Sequence, residues 1–427
     1  MDTVENDVFE AAKRVLPGGT FGNFPGEVII REGKAGRVWD ENGKEYVDYL
    51  LGSGPMLVGH AHPEVTEAAQ AQIAKGTTFF ANNRLGIELA EAIVDAVPCA
   101  EQVRFVSSGT EADLYAMRAA RAFTRRDKIL KFEGGYHGMS DYSLMSLAPK
   151  RSGNFPMPVP DSAGIPKSVR DDMIIAPFND AEAVDALVRE HKDDLAGVIV
   201  EPFQRIIPPE PGFLAAVRKT TADNGVPLIF DEVVTGFRVA PGGAQAHFGI
   251  TPDLCALAKI VAGGLPGAAV CGKREILSQM AFGSDAQKNR QGRVAQNGTY
   301  NSNPLTATAG IAMLSQIADG KHHETANARG AELRAALNEV FRKAGAPCVA
   351  YGDVSVCHIS LEGPPEAGKK RDASLVHKWR CALILHGVDM SANHGWVSAV
   401  HGDREIEETA EAVKKAVADL QAERALP

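Results

Sequence analysis

The segment V-P-L-I-F-D-E-V-V-T-G-F-R (226–238), followed at 252–272 by P-D-L-C-A-L-A-K-I-V-A-G-G-L-P-G-A-A-V-C-G, decides how the rest of this chain is read. In the first part an apolar strand runs out onto an acid, Asp231. In the second an apolar stretch runs out onto an amine, Lys259, with apolar or small residues on both sides. A carboxylate and an ammonium at the ends of buried elements each lose hydration that something has to replace. A lone lysine is ordinarily solvated, but one between Leu254–Ala258 and Ile260–Ala262 does not sit on an ordinary solvated helix face. Desolvation lowers its pKa and leaves a nucleophilic amine. A cationic pyridine ring bearing an aldehyde satisfies both groups, the acid pairing with the ring nitrogen and the amine condensing with the carbonyl. Those are the requirements of pyridoxal 5'-phosphate (PLP).

Working outward, strand-like runs alternate with helical patterns from about residue 100 to 275. Residues 103–106, 129–132, 197–200, 227–230 and 268–271 read as short strands, with a helix opening at Thr110 and amphipathic stretches at 181–189 and 212–224. This βαβα order predicts an α/β fold, a mainly parallel central sheet with helices on both faces. Ligand sites in such sheets lie beyond the carboxyl ends of the strands, where Ser108, Glu201 and Asp231 fall. Residues 27–46, with turn signals at Gly33, Gly36 and Asn42-Gly43, read as an antiparallel meander. Beyond Pro304 come two long helical stretches, an alternating run at 354–361 and helices near 375–386 and 406–421, an α+β pattern. The expected organisation is an N-terminal segment (1–60) joining the small domain, a large PLP-binding domain (61–305) and a C-terminal small domain (306–427). Two polar segments, 149–166 and 283–296, read as long and functional loops.

Composition narrows the function classes. The chain has 427 residues, 44% hydrophobic and 23% charged, with a formal charge of −9. No Lys/Arg stripe is present, which argues against nucleic acid. The six cysteines are dispersed without a C-x-x-C pair, a pattern suited to reduced cytoplasmic thiols rather than to disulfides or zinc. The acidic N-terminus lacks a signal-peptide pattern, and no run of about eighteen apolar residues spans a membrane. Gly52-Ser53-Gly54 has Leu57 where a dinucleotide fingerprint requires glycine, which disfavours a nicotinamide enzyme. No metal is expected, since His60 and His62 have no accompanying ligand cluster and read as turn residues; His394 and His401 stay unassigned.

Other segments supply parts of a cofactor site. Ser107-Ser108-Gly109-Thr110-Glu111 follows a strand and opens a helix, so its amides, hydroxyls and helix dipole suit a phosphate. The same spacing reads equally as an ordinary capping box, Ser108 with Glu111. Gly134-Gly135-Tyr136-His137-Gly138 can lay an aromatic ring against a planar cofactor, or be a plain glycine turn. Thr299, in N-G-T-Y-N-S-N-P (297–304), is a second phosphate contact or a plain N-cap.

Taken in order, R-F-V-S-S-G-T-E-A (104–112), K-F-E-G-G-Y-H-G (131–138), P-P-E-P-G-F-L (208–214), I-F-D-E-V-V-T-G-F-R-V-A-P-G-G-A-Q (229–245) and D-L-C-A-L-A-K (253–259) resemble a class III aminotransferase of PLP fold type I. The resemblance runs from L-P-G-G at Leu16 to the helix after His401, and within the class is greatest to the glutamate-1-semialdehyde 2,1-aminomutase group. It implies that Lys259 forms the internal aldimine and carries the proton, while Asp231 keeps the pyridine nitrogen protonated. It implies that Tyr136 and Val233 pack on the two ring faces, that His137 and Glu201 line the site, and that Ser108, Gly109 and Thr110 bind the phosphate. Thr299 is implied to reach the neighbouring subunit's cofactor, which makes a homodimer the minimal active unit.

The departures bear on substrate. The loop T-F-G-N-F-P (20–25) lacks the arginine that grips a substrate carboxylate in the aminomutase group, and A-N-H-G-W (392–396) replaces its Phe-Glu pair. Arg205, close after Glu201, is either a substitute carboxylate handle or a salt-bridge partner of Glu201 that gates the pocket. These changes favour an aminotransferase moving an amino group between an amine or amino acid and a keto or aldehyde acceptor through pyridoxamine phosphate. D-S-A-G-I-P (161–166) resembles the mutase gating loop and favours the alternative, an intramolecular aminomutase. A non-catalytic binding protein is the third and weakest reading, because Lys259, Asp231 and the phosphate segment are all present.

Overall fold

The computed structural model describes residues 4–23, 28–148, 155–204, 207–364 and 372–427. The chain forms two compact units, one from Met1–Pro63 with Lys321–Pro427, the other from Glu64–Gly320. In the smaller unit, β1 (Ile30–Lys34), β2 (Arg37–Asp40) and β3 (Glu45–Asp48) make the antiparallel meander expected from the turn residues. In the larger unit a seven-stranded sheet is built from β4 (Gln102–Val106), β5 (Lys128–Phe132), β6 (Met173–Ala176), β7 (Leu195–Val200), β8 (Leu228–Glu232), β9 (Leu254–Ala258) and β10 (Ala268–Gly272). Back in the smaller unit, β11 (Val349–Tyr351), β12 (Val356–Ser360) and β14 (His394–Trp396) form a second sheet, and β13 (Val388–Asp389) adds in parallel to β3.

The large sheet has the order β4-β10-β9-β8-β7-β5-β6. β6, β5, β7, β8 and β9 run parallel, and β10 is antiparallel to both of its neighbours. β4, antiparallel to β10, therefore points the same way as β9. The two registers align Val106, Ala268 and Ala258 in one row, so Ser107 and Lys259 each begin one residue beyond it.

Both faces of this sheet are covered, which is why its strands read as apolar runs rather than as alternations. On one face, Ala112, Ala116, Met117 and Ala120 of the helix Gly109–Thr124 pack on Ile129, Ile199, Ile229 and Val270. On the other, Leu130, Val198, Leu228 and Phe230 pack with Val184, Val188, Phe213 and Val217 of the helices Ala181–His191 and Phe213–Asp223. Each of the larger of these side chains (Val, Leu, Ile, Met, Phe), fully buried, contributes about 1.5–3 kcal/mol, so the sheet is a rigid platform for whatever its carboxyl edge carries. The helix Pro304–Ile317 belongs to the larger unit, where it packs on the helix Arg84–Ala96 and on the turn Lys259–Ala262. Among the described residues no helix is long and apolar enough to cross a membrane.

Candidate active site

β4, β5, β7, β8 and β9 all end at one edge of the sheet, which carries Ser107, the 133–138 loop, Glu201 and Lys259 just beyond strand ends and Asp231 as the penultimate residue of β8. Asp231 is buried. Its Oδ2 lies 2.7 Å from Nδ1 of His137, and its Oδ1 accepts the Val233 amide at 3.0 Å. The carboxylate is thus aimed by two donors from two different loops.

Lys259 follows β9 with φ +60, a left-handed conformation that costs a residue with a Cβ about 1–2 kcal/mol. The packed turn Ile260–Ala262 holds it there. Burial pushes the amine down to about 8, with the Arg238 guanidinium adding to the effect and Asp231 and Glu201 opposing it. Arg238, in the loop after β8, is itself fully buried and pushed down to about 9 by that burial.

Glu201 follows β7 and is buried; its Oε2 accepts the Tyr136 amide at 2.8 Å. Tyr136 remains 39% exposed, so its ring is open to a ligand. The loop carrying Tyr136 and His137 is tied down by a residue the sequence reading passed over. Lys131, fully buried on β5, donates to the carbonyls of Gly135, Ser143 and Met145 at 2.9, 2.7 and 2.8 Å. The loop also leans on the start of the helix Gly109–Thr124: Met139 donates to Thr110 Oγ1 at 3.2 Å, and Gly138, at φ +80, sits where any Cβ would strike Thr110.

At the start of the helix Gly109–Thr124 the capping box is present. Glu111 N–H donates to Ser108 Oγ at 3.2 Å, and the Glu111 carboxylate accepts the Ser107 and Ser108 amides at 2.7 and 3.0 Å. The cap leaves the amides of Gly109 and Thr110, which have no intrahelical acceptor. A Cβ on Gly109 would lie 2.9 Å from Val233 Cγ1, so glycine is what lets the helix start approach the β8 loop. Thr299 is exposed in the turn closed by Asn301 N–H on the Gly298 carbonyl at 3.2 Å. Asn301 Oδ1 in turn accepts from Ser107 Oγ at 3.2 Å, which joins that turn to the end of β4 in the same chain.

A second residue missed by the sequence reading is Asp113. It is buried in the helix Gly109–Thr124, with its carboxyl, His137 and Asp231 each bringing a polar atom within 4.8 Å of the other two. Burial first, then the charges of Asp231 and Glu201, hold the Asp113 carboxyl well above the usual carboxylate range. The only sequence signal was an acid inside an alanine-rich helical stripe.

Arg205 lies outside the described residues, as do 149–154 and 24–25 of the two loops singled out for substrate. The described part of the 149–166 segment is anchored by Asp161, whose carboxylate accepts the amides of Leu147 and Ala148. His60 and His401 belong to the smaller unit. His60 Nε2 meets Asp48 Oδ2 at 2.6 Å, and His401, pushed down to about 4 by burial, accepts the Ser398 amide at 3.0 Å.

Comparison with known proteins follows this geometry. The family described as Aminotransferase class-III matches residues 22–347. A glutamate-1-semialdehyde 2,1-aminomutase of Methanothermobacter thermautotrophicus is 39% identical, over 97% of this chain and 99% of its own. The crystal structure of an omega-transaminase from Sphaerobacter thermophilus superposes with a TM-score of 0.89 at 35% identity, covering 98% of both chains. A transaminase with PLP bound superposes with a TM-score of 0.88 at 32% identity, over 98% of this chain and 97% of that one.

Proposed function

We propose that this chain, which belongs to the class III aminotransferase family, is a PLP-dependent transaminase that moves an amino group from an amine or amino acid to a keto or aldehyde acceptor. One observation carries the reading: a Lys259 amine held near pKa 8 beside the end of the strand that presents Asp231, whose carboxylate is backed by His137.

The residues present fit PLP by the chemistry of the donor set: a buried carboxylate for the ring nitrogen, a desolvated amine for the carbonyl, and a helix start with open amides for the phosphate. When bound, the cofactor supplies an electron-withdrawing ring and a carbonyl on which an amino group is carried between substrates. Asp231 holds a proton toward the ring nitrogen, and His137 and the Val233 amide keep its two oxygens in place. Lys259 Nζ is the nucleophile and the proton carrier. With a pKa of about 8, about one amine in ten is neutral at pH 7, against roughly one in three thousand for an ordinary lysine. Tyr136 and Val233 flank the ring, with Glu201 fixing the Tyr136 backbone. Ser108, Gly109 and Thr110 take the phosphate, and Thr299 reaches that of a partner subunit in a homodimer. Support for the dimer comes from large apolar side chains exposed on the larger unit, among them Phe79, Phe80, Ile87 and Tyr300. Arg205 is either the carboxylate handle for acidic donors or a salt-bridge partner of Glu201 that gates the pocket, and an unchanged KM for every acidic donor in Arg205→Ala would exclude the first.

The intramolecular alternative, an aminomutase, is favoured by the 39% identity to a glutamate-1-semialdehyde 2,1-aminomutase over nearly the whole chain. The missing arginine in 20–25 argues for the transaminase. The test adds candidate donors singly to the PLP-loaded protein and follows its visible absorbance. Loss of that absorbance with alanine or a β-amino acid is expected. Loss only with glutamate semialdehyde or its diamino counterpart would replace the transaminase by the aminomutase.

A further inference from the structure

Asp231 does not stand alone behind the site. Asp113, 1% exposed, brings a carboxyl oxygen within 4.8 Å of the nearest polar atoms of Asp231 and of His137, and its Oδ1 has no hydrogen-bond partner. Two carboxyl groups this close, away from water, share a proton rather than both ionise. The surrounding donors decide which group keeps it. Asp231 accepts from His137 Nδ1 and from the Val233 amide, and both bonds favour its anion. Asp113 accepts no such bond and is the group that stays neutral. We propose that Asp113 is a positioning residue of the cofactor site: its neutral carboxyl donates a hydrogen bond to the Asp231 carboxylate and thereby sets the direction and basicity with which Asp231 meets the pyridine nitrogen. The inference rests on the reading of Asp231 as the partner of that nitrogen.

The charged groups around Asp113 agree with this assignment. From β8 it faces Asp231, while the neighbouring Glu232 is turned away to Thr235 and the Ala244 amide. Glu201 adds negative charge from the end of β7, and Lys131 on β5 opposes it but is occupied by three carbonyls. β7, β9 and β10 themselves carry no charged side chain. Arg104 on β4 donates to the Met280 carbonyl at 3.3 Å, and Arg274 and Glu275 of the short helix Arg274–Leu277 are exposed. Burial and the two carboxylates outweigh Lys131, so the proton stays on Asp113.

The test compares the wild-type protein with Asp113→Asn, which keeps both shape and a donor, and with Asp113→Leu, which keeps shape alone. Three quantities are read: the pH midpoint of the bound-PLP absorbance, the Kd for PLP of the apoprotein, and the infrared carbonyl band of a protonated carboxylic acid at pH 7. Asp113→Asn is expected to reproduce the wild-type midpoint and affinity while removing the Asp113 part of the infrared band, read as the wild-type-minus-variant difference because Glu232, pushed up to about 7 by burial, also absorbs at pH 7. Asp113→Leu removes the donor that aims Asp231, so the midpoint of the bound-PLP absorbance moves by about one pH unit, a tenfold change, and PLP binds about tenfold more weakly. Coincident midpoints for all three proteins, an Asn variant shifted as far as the Leu variant, or a wild-type protein without that difference band would each overturn the inference. If Asp113→Leu does not fold, the band and the Asn variant decide. Failure of the wild type to take up PLP at all would instead overturn the cofactor reading, and the infrared comparison separates the two failures.

Discussion

Lys131→Met tests whether the buried ammonium is what shapes the loop that presents Tyr136 and His137. Methionine fills nearly the same volume but donates nothing, so the carbonyls of Gly135, Ser143 and Met145 lose their donor in a water-free place. A buried acceptor left without a partner costs about 1–3 kcal/mol, or roughly 3–9 kcal/mol for three. Part of that is returned, because the ammonium no longer has to be desolvated, a penalty of several kcal/mol. The net loss is about 2–4 kcal/mol. For a unit of this size that corresponds to a Tm lower by roughly 4–16 °C in thermal scans of the apoprotein. The loop relaxes toward whatever donors it can find, and the two side chains it carries move with it. PLP affinity is therefore expected to fall at least about tenfold, or about 1.4 kcal/mol. The control is Lys128→Met on the same strand, where the ammonium meets Asp194 at 2.6 Å near the surface. An exposed pair of that kind contributes about 0–1 kcal/mol. Equal thermal losses at the two positions, or a Lys131→Met protein that binds PLP like the wild type, would refute the reasoning.

Two further outcomes follow from the same edge of the sheet. The rate at which the apoprotein captures PLP should rise about tenfold per pH unit below pH 8 and flatten above it, because the neutral amine reacts and burial sets its pKa at about 8; a rise continuing to pH 10 in stopped-flow absorbance would return Lys259 to an ordinary value. Gly243→Ala should cost about 2 kcal/mol more than Gly249→Ala in denaturant midpoints, because both sit at positive φ but only at Gly243 does a Cβ strike the Glu232 carboxylate that caps the following helix. Equal losses would mean that Glu232 gives way freely.

Asp231 and Lys259 were legible because each is a charge that terminates an apolar run, and burial makes such a charge conspicuous. β7, β8 and β10 were legible for a related reason: covered on both faces, they are short apolar runs between turn residues. β9 read only as an apolar segment, since L-C-A-L-A has no β-branched residue to mark a strand, and β6, M-I-I-A, is too short to stand out. The capping box at Ser108 was visible in its spacing, and so was the phosphate reading. The structure holds the first and leaves room for the second, because the box uses the Ser107 and Ser108 amides and not those of Gly109 and Thr110. Lys131 and Asp113 were not legible. Lys131 looks like an ordinary solvated lysine in K-I-L-K-F, and its partners are backbone carbonyls, which no sequence displays. Asp113 looks like an ordinary polar position on a helix until the fold shows that its side of the helix faces β8.

These two hidden residues bear on why the Lys259 amine is tuned as it is. Burial alone drives the Lys259 amine down, and Arg238 drives it further; Asp231 and Glu201 pull it back, and the balance falls at about 8. A group that must both attack a carbonyl and carry a proton near neutral pH works best with a pKa close to that range. Had Asp113 been ionised as well, a third carboxylate beside Asp231 would have raised the amine toward its ordinary value and left it protonated. Had Lys131 been free to face the site, its charge would have pushed the amine the other way. The first is held neutral by its burial and then by the charges of Asp231 and Glu201, and the second is spent on three carbonyls of the loop. Lys259 therefore answers first to its own burial and then, among the described residues, to Asp231, Glu201 and Arg238.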